Sequence, residues 1–148
     1  MSHDNQQAAS AHERVMMNLS IFHLLLPVAA LSSGYITLFL SASLAGAVLM
    51  LFFIARRAKQ GMASKLVEKH WQLAWQRCHL LLMGYGASAT IMLLGFVFSL
   101  FQADPNMSSI MLVVFSRIAA VPIILVVMVL FVLSSSSLAQ ARQGQLPD

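Results

Sequence analysis

Four long apolar runs separated by short polar breaks dominate the chain. Residues 15–31 form the first run, Ser32, Ser33 and Gly34 interrupt it, and residues 35–54 form the second. A polar, basic stretch follows, then a third run at 79–101, the turn-forming residues Gln102, Ala103, Asp104, Pro105 and Asn106, and a fourth run at 109–133. At about 1.5 Å per helical residue, each run is long enough to cross the hydrocarbon layer of a bilayer. The near-continuous apolarity of 38–54 and 111–133 excludes a transmembrane β-barrel, whose strands alternate polar and apolar residues over segments of about 10. Backbone groups in lipid must then be paired within helices. A single helix over 15–54 would be about twice the hydrocarbon thickness, so Ser-Ser-Gly is read as the turn of a hairpin.

Between the two hairpins the periodicity changes. Val67, Trp71, Ala74, Trp75 and Cys78 recur at helical spacing, while Lys65, Glu68, Lys69, Gln72 and Gln76 occupy the other faces of the same turns. This predicts an amphipathic helix at the headgroup level, with Trp71, Trp75, Arg56, Arg57, Lys69 and Arg77 as membrane-interface anchors. The expected fold is therefore all-α: an integral membrane four-helix bundle with an amphipathic interfacial helix between the second and third spans. Residues 1–14 are expected to form a mobile cytoplasmic tail, 15–138 the four-span membrane domain, and 139–148 a polar cytoplasmic tail.

Composition agrees: 59% of the 148 residues are hydrophobic and 9% are charged, which does not describe a soluble domain of this length. The charges are distributed unevenly. Of nine Lys and Arg residues, one is Arg14 before the first run, six lie between Arg56 and Arg77, and one is Arg142 after the last run. The two opposite turns carry none. The positive-inside rule then places both ends and the basic loop in the cytoplasm of a bacterial inner membrane. The net charge of +4 is accounted for by topology and anionic lipid headgroups, without nucleic acid. The single Cys78 excludes an internal disulfide and a multi-cysteine metal site.

The ninth basic residue, Arg117, falls inside the fourth run. With a span starting near Ser109 it lies about 12 Å into the apolar layer, where an Arg costs about 2.5–3.5 kcal/mol at the centre and less towards the edge. A span starting at Ile118 would instead leave it at the outer headgroups. Asp104, on the same outward turn, is the nearest acidic ion-pair candidate in sequence. His23 lies about two turns into the first span, and Pro27 cannot donate to its carbonyl, which makes a polar notch. His23 is expected to bond Ser20, Ser88 or Thr90. His23 and His79 are the residues to which a metal or haem b would bind, but no HxxxH, ExxH or CxxC spacing supports that site, so no metal and no cofactor is expected.

Small residues spaced by four, Ala42 with Gly46 and Gly84 with Ser88, mark expected helix-packing faces. Glu13, Glu68, Asp4, Asp104 and Asp148 are scattered, and no phosphate-binding glycine loop or nucleophile–base pair is present in the sequence. The chain is therefore not expected to be an enzyme. Its layout resembles a family of small uncharacterised four-helix bacterial inner-membrane proteins through Arg56-Arg57, His70-Trp71 ahead of the third span, and Arg117-Ile118 in the fourth. That resemblance implies a four-helix membrane fold and carries no activity. The expected role is a non-catalytic accessory or interaction subunit that contacts lipid and a membrane-protein partner or forms a homo-oligomer. The alternatives are a small transporter or channel using Arg117 and His23, a haem-binding redox anchor, and a toxin immunity protein.

Overall fold

Ser2 starts the first helix: in the computed structural model its hydroxyl accepts from the Asn5 N–H at 3.2 Å, the bond of an N-cap. The structure describes residues 2–62 and 64–147, so the outermost positions of the two predicted tails, Met1 and Asp148, lie outside the described residues. Every regular element among them is helical: α1 (His3–Met17), a π-helical segment (Asn18–Leu25), α2 (Leu26–Ser33), α3 (Ile36–Lys59), α4 (Lys65–Leu100) and α5 (Pro105–Arg142). Four helical stretches, His3–Ser33, Ile36–Lys59, Lys65–Leu100 and Pro105–Arg142, are long and apolar enough to cross a membrane.

The helices extend beyond the apolar runs. Residues 3–14, expected as a mobile tail, form most of α1, because Ala8, Ala11, His12 and Val15 recur at helical spacing and are buried. The amphipathic segment and the third span are one unbroken helix, α4, since no Gly or Pro interrupts residues 65–83. α5 starts at Pro105 rather than at Ser109 or Ile118. Asp104 precedes it, its carboxylate accepting from the Asn106 N–H at 2.9 Å, and a proline at the first helical position has no N–H to leave unsatisfied. Arg117 thus lies within a continuous helix. Pro122 is also inside that helix.

Contacts divide the chain into two compact units, Met1–Cys78 with Leu130–Asp148, and His79–Val129. In the first, α3 packs against α2 and the π-helical segment. Gly34 ends α2 with φ 76°, a left-handed conformation that glycine adopts without strain. The π-helical register decides which carbonyl Pro27 leaves without a donor. Over this segment the N–H five residues on closes each turn, and the residue five beyond Phe22 is Pro27, which has no N–H. The Phe22 carbonyl left over accepts from the Ser43 hydroxyl of α3. Gly46, one turn further along α3, lies against the Phe22 ring: a Cβ there would sit 2.5 Å from Cζ.

The second unit is an antiparallel hairpin of α4 residues 79–100 and α5 residues 105–129. Gly84 faces Val126, with 3.1 Å between the position of an added Cβ and Cγ2, and Gly95 faces Phe115, whose Cδ1 would be 2.9 Å away. Phe98 and Phe115 close the outer end with ring centroids 6.0 Å apart.

Candidate functional site

The amphipathic face of α4 turns inward within the first unit. Val67, His70, Trp71, Ala74, Arg77 and Cys78 are all buried, a stripe at the i, i+3/i+4, i+7 positions. An apolar stripe suits lipid and protein equally, and here protein covers it. Trp71, expected as an interface anchor, is 3% exposed and sits edge-on to Phe53 at 6.0 Å between centroids. Arg57 lies over its ring at 6.0 Å, and Arg14 lies over the Phe53 ring at 4.4 Å. Two adjacent aromatic rings are thereby flanked by two cations across α1, α3 and α4, each cation–ring contact contributing about 0.5–1 kcal/mol at partly exposed positions.

Next to this stack lies a buried polar chain. Arg77 Nη1 donates to His12 Nδ1 at 3.2 Å, and Arg77 Nη2 donates to Ser137 Oγ at 2.6 Å. His12 Nε2 is 2.9 Å from His70 Nδ1, and His70 Nε2 is 2.9 Å from the Gln145 carbonyl. Donor logic fixes both tautomers. Arginine can only donate, so His12 Nδ1 accepts and its proton resides on Nε2, which donates to His70 Nδ1. His70 must then carry its own proton on Nε2 and donate it to the carbonyl. The two rings meet edge to face at 85°, with both residues 0% exposed.

His12 and His70 precede the apolar runs 15–31 and 79–101, so water and protein rather than lipid set their titration. Burial first, then Arg77 and then His70, pushes the His12 pKa down to about 3. His70 is also lowered, by burial and by Arg77, against the opposing pull of its bond to Gln145. Both rings are neutral at pH 7, as the donor pattern requires.

The end of α5 is shaped to reach this chain. Gly144 has φ 74°, Gly144 N–H donates to the Ala141 carbonyl at 3.1 Å, and Gln145 N–H donates to the Gln140 carbonyl at 3.0 Å. This is a Schellman cap, and it turns the Gln145 carbonyl back towards α4. Asn5 from α1 donates to the Arg142 carbonyl at 3.3 Å, and Arg142 pairs with Glu13 at 3.0 Å. Both partners of that pair are about half exposed, so it adds little stability. Through these bonds α1 and the end of α5 are both tied to α4.

The residues singled out from sequence are placed as follows. Asp104 caps α5 and makes no ion pair with Arg117; about 20 Å of helix separates the two along the axis. Arg117 is exposed and, among the described residues, has neither a hydrogen bond nor an ion pair. His23 Nδ1 donates to the Asn18 carbonyl at 3.1 Å. His79 is exposed at the start of the second unit. Among the described residues no three His, Cys, Asp or Glu side chains gather where they could hold a metal. Arg77 belongs to the buried chain, while Arg56, Arg57 and Lys69 are exposed and Trp75 is half-buried. Gly46, Gly84 and Ser88 lie at or near helix contacts, whereas Ala42 is exposed and the buried small residues of α3 are Ser43 and Ala47.

His12, Ser43, Ser137, Asn5 and Gly144 were not singled out by the sequence reading. The alanine stripe through His12 at helical spacing was the available sign of α1, and Gly144 just beyond Arg142 that of the cap. No pattern in the sequence pairs His12 with His70 across 58 positions. No protein-family model, curated protein or solved structure matches the chain.

Proposed function

We propose that this chain is a non-catalytic accessory or interaction subunit of a multi-pass bacterial inner-membrane assembly, with both ends and the basic loop in the cytoplasm. One observation carries the reading. In each of the four long helices only 22% of the most apolar stretch is buried within the chain, and Leu25, Val28, Leu44, Phe52, Leu93, Ile124 and Val132 are all more than half exposed. Such faces need lipid or another membrane protein against them. The polar groups that could do chemistry support the same reading, since His12, His70, Arg77 and Ser137 use their hydrogen bonds on one another and on Gln145.

Copurification in mild detergent, with mass spectrometry of what remains bound and crosslinking in intact membranes, tests the proposal. A partner or a homo-oligomer recovered at fixed stoichiometry by both routes is the expected result. A monomer by both routes refutes it.

A further inference from the structure

We propose that His12, His70 and Arg77 form a proton-operated latch, in which proton uptake by the two imidazoles breaks the hydrogen bonds that hold His12 and releases α1 from α4. The geometry carries this. Each ring accepts through Nδ1 and donates through Nε2, so each link through His12 depends on one unprotonated nitrogen. A proton on His12 Nδ1 removes the acceptor for Arg77 and puts an imidazolium 3.2 Å from a guanidinium. A proton on His70 Nδ1 removes the acceptor for His12 and sets N–H against N–H at 2.9 Å.

Two carboxylates on the packed elements are engaged elsewhere. On α1, Glu13 pairs with Arg142 of α5, and on α4, Glu68 accepts from Gln72 at 3.0 Å. The other charges on the packed helices are Asp4 and Arg14 on α1, Arg56, Arg57 and Lys59 on α3, and Lys65, Lys69 and Arg77 on α4, of which Arg14 and Arg57 lie on aromatic rings. The local balance opposes a further positive charge. The bonds that open are those joining α1 to α4 through His12, whereas the His70–Gln145 and Arg77–Ser137 bonds need no unprotonated imidazole nitrogen and keep the end of α5 on α4.

The sign follows from the lowered pKa values. Above pH 6.5 the rings are neutral whether the latch is open or closed, and closure is undisturbed. Below 6.5 an open latch takes up protons more readily than a closed one, so opening becomes progressively favoured, the His12 contribution growing until pH about 3, where closed His12 titrates too. Relative to neutral pH, His12 alone raises the open-to-closed ratio about 30-fold at pH 5, and His70 acts in the same direction. The inference goes beyond the accessory reading and is independent of any partner.

The test is a distance measurement on full-length protein in nanodiscs. In a Cys78→Ser background, nitroxides replace the exposed Gln7 on α1 and Lys69 on α4, and double electron–electron resonance is recorded from pH 8 to pH 4.5. A single short distance at pH 8 that gives way to a long, broad distribution below pH 6 is expected. His12→Gln with His70→Gln preserves donors and acceptors but cannot titrate, and should remain short throughout; His70→Gln alone should shift the transition to lower pH and serves if the double variant fails to close at pH 8. A distance unchanged down to pH 4.5 in the parent overturns the proposal. So does an unaltered transition in the glutamine variants, or its abolition by Glu13→Gln, which would assign it to the ion pair.

Discussion

Replacing Gly46 with alanine tests the contact between α3 and the π-helical segment. Two effects oppose each other. Alanine is favoured over glycine inside a helix by about 1 kcal/mol, which on its own stabilises the variant. At position 46, however, the new methyl would be 2.5 Å from Phe22 Cζ and closer still to the neighbouring ring carbon. Ordinary carbon–carbon contact is about 3.5–4.0 Å, so the ring must retreat by about 1.5 Å. The Phe22 backbone cannot easily follow, because its carbonyl is held by Ser43, so the ring itself must turn away. Overpacking of this kind costs about 1–3 kcal/mol, leaving Gly46→Ala neutral to about 2 kcal/mol less stable. Gly86→Ala is the internal control: nothing lies within 4 Å of its Cβ, so the helix-forming gain of up to about 1 kcal/mol is unopposed. The two variants should therefore differ by about 1–3 kcal/mol. Equilibrium unfolding in mixed micelles with increasing SDS, followed by tryptophan fluorescence, reads the difference. Gly46→Ala at least as stable as Gly86→Ala would refute the packing argument.

Other perturbations bear on separate features. Ser43→Ala leaves the Phe22 carbonyl without its donor in an apolar setting and should cost about 0.6–1.7 kcal/mol in the same titration. Arg77→Leu removes the donor to both His12 and Ser137 and should loosen α1, detected as faster maleimide labelling of Cys78, which is 2% exposed, at constant pH. Labelling as slow as in the parent would count against any role for Arg77 in holding that region. Arg117→Cys, in a Cys78→Ser background, should label with a membrane-impermeant maleimide much more slowly than Asn106→Cys, because α5 is helical for three turns before position 117 with exposed Ile110, Val113 and Val114 around it. Equal rates would place Arg117 at the aqueous boundary.

What the sequence revealed and what it concealed divide along a physical line. Runs of apolar residues and the breaks at Gly34 and 101–105 are local signals, and the four apolar helices follow from them. The helix ends were less legible. α1 and α5 continue into polar sequence because their buried faces, such as Ala8, His12 and Val15, are narrow stripes that average composition hides. Trp71 shows a second ambiguity: hydrophobic periodicity says that a face is covered, not by what. The histidine–arginine chain was invisible because it depends on three stretches distant in sequence, with Gln145 contributing only a backbone carbonyl. Pro27 was a partial success, since the vacant acceptor was anticipated at His23 and the wider turn moved it to Phe22.

The bonds from Asn5 and His12 to Arg142, His70 and Arg77 have a consequence for threading. Groups within hydrogen-bond distance cannot lie on opposite faces of a bilayer, so if the four apolar helices cross one, an even number of crossings separates α1 from the start of α4, and again α4 from the end of α5. A chain inserted with one run skipped or reversed would strand one of these partners across the membrane and could not close. Because Gln145 is synthesised after all four apolar helices, closure comes last and depends on every earlier crossing. The pairing of α1 and the end of α5 with one face of α4 thus ties closure to the order of every helix between them.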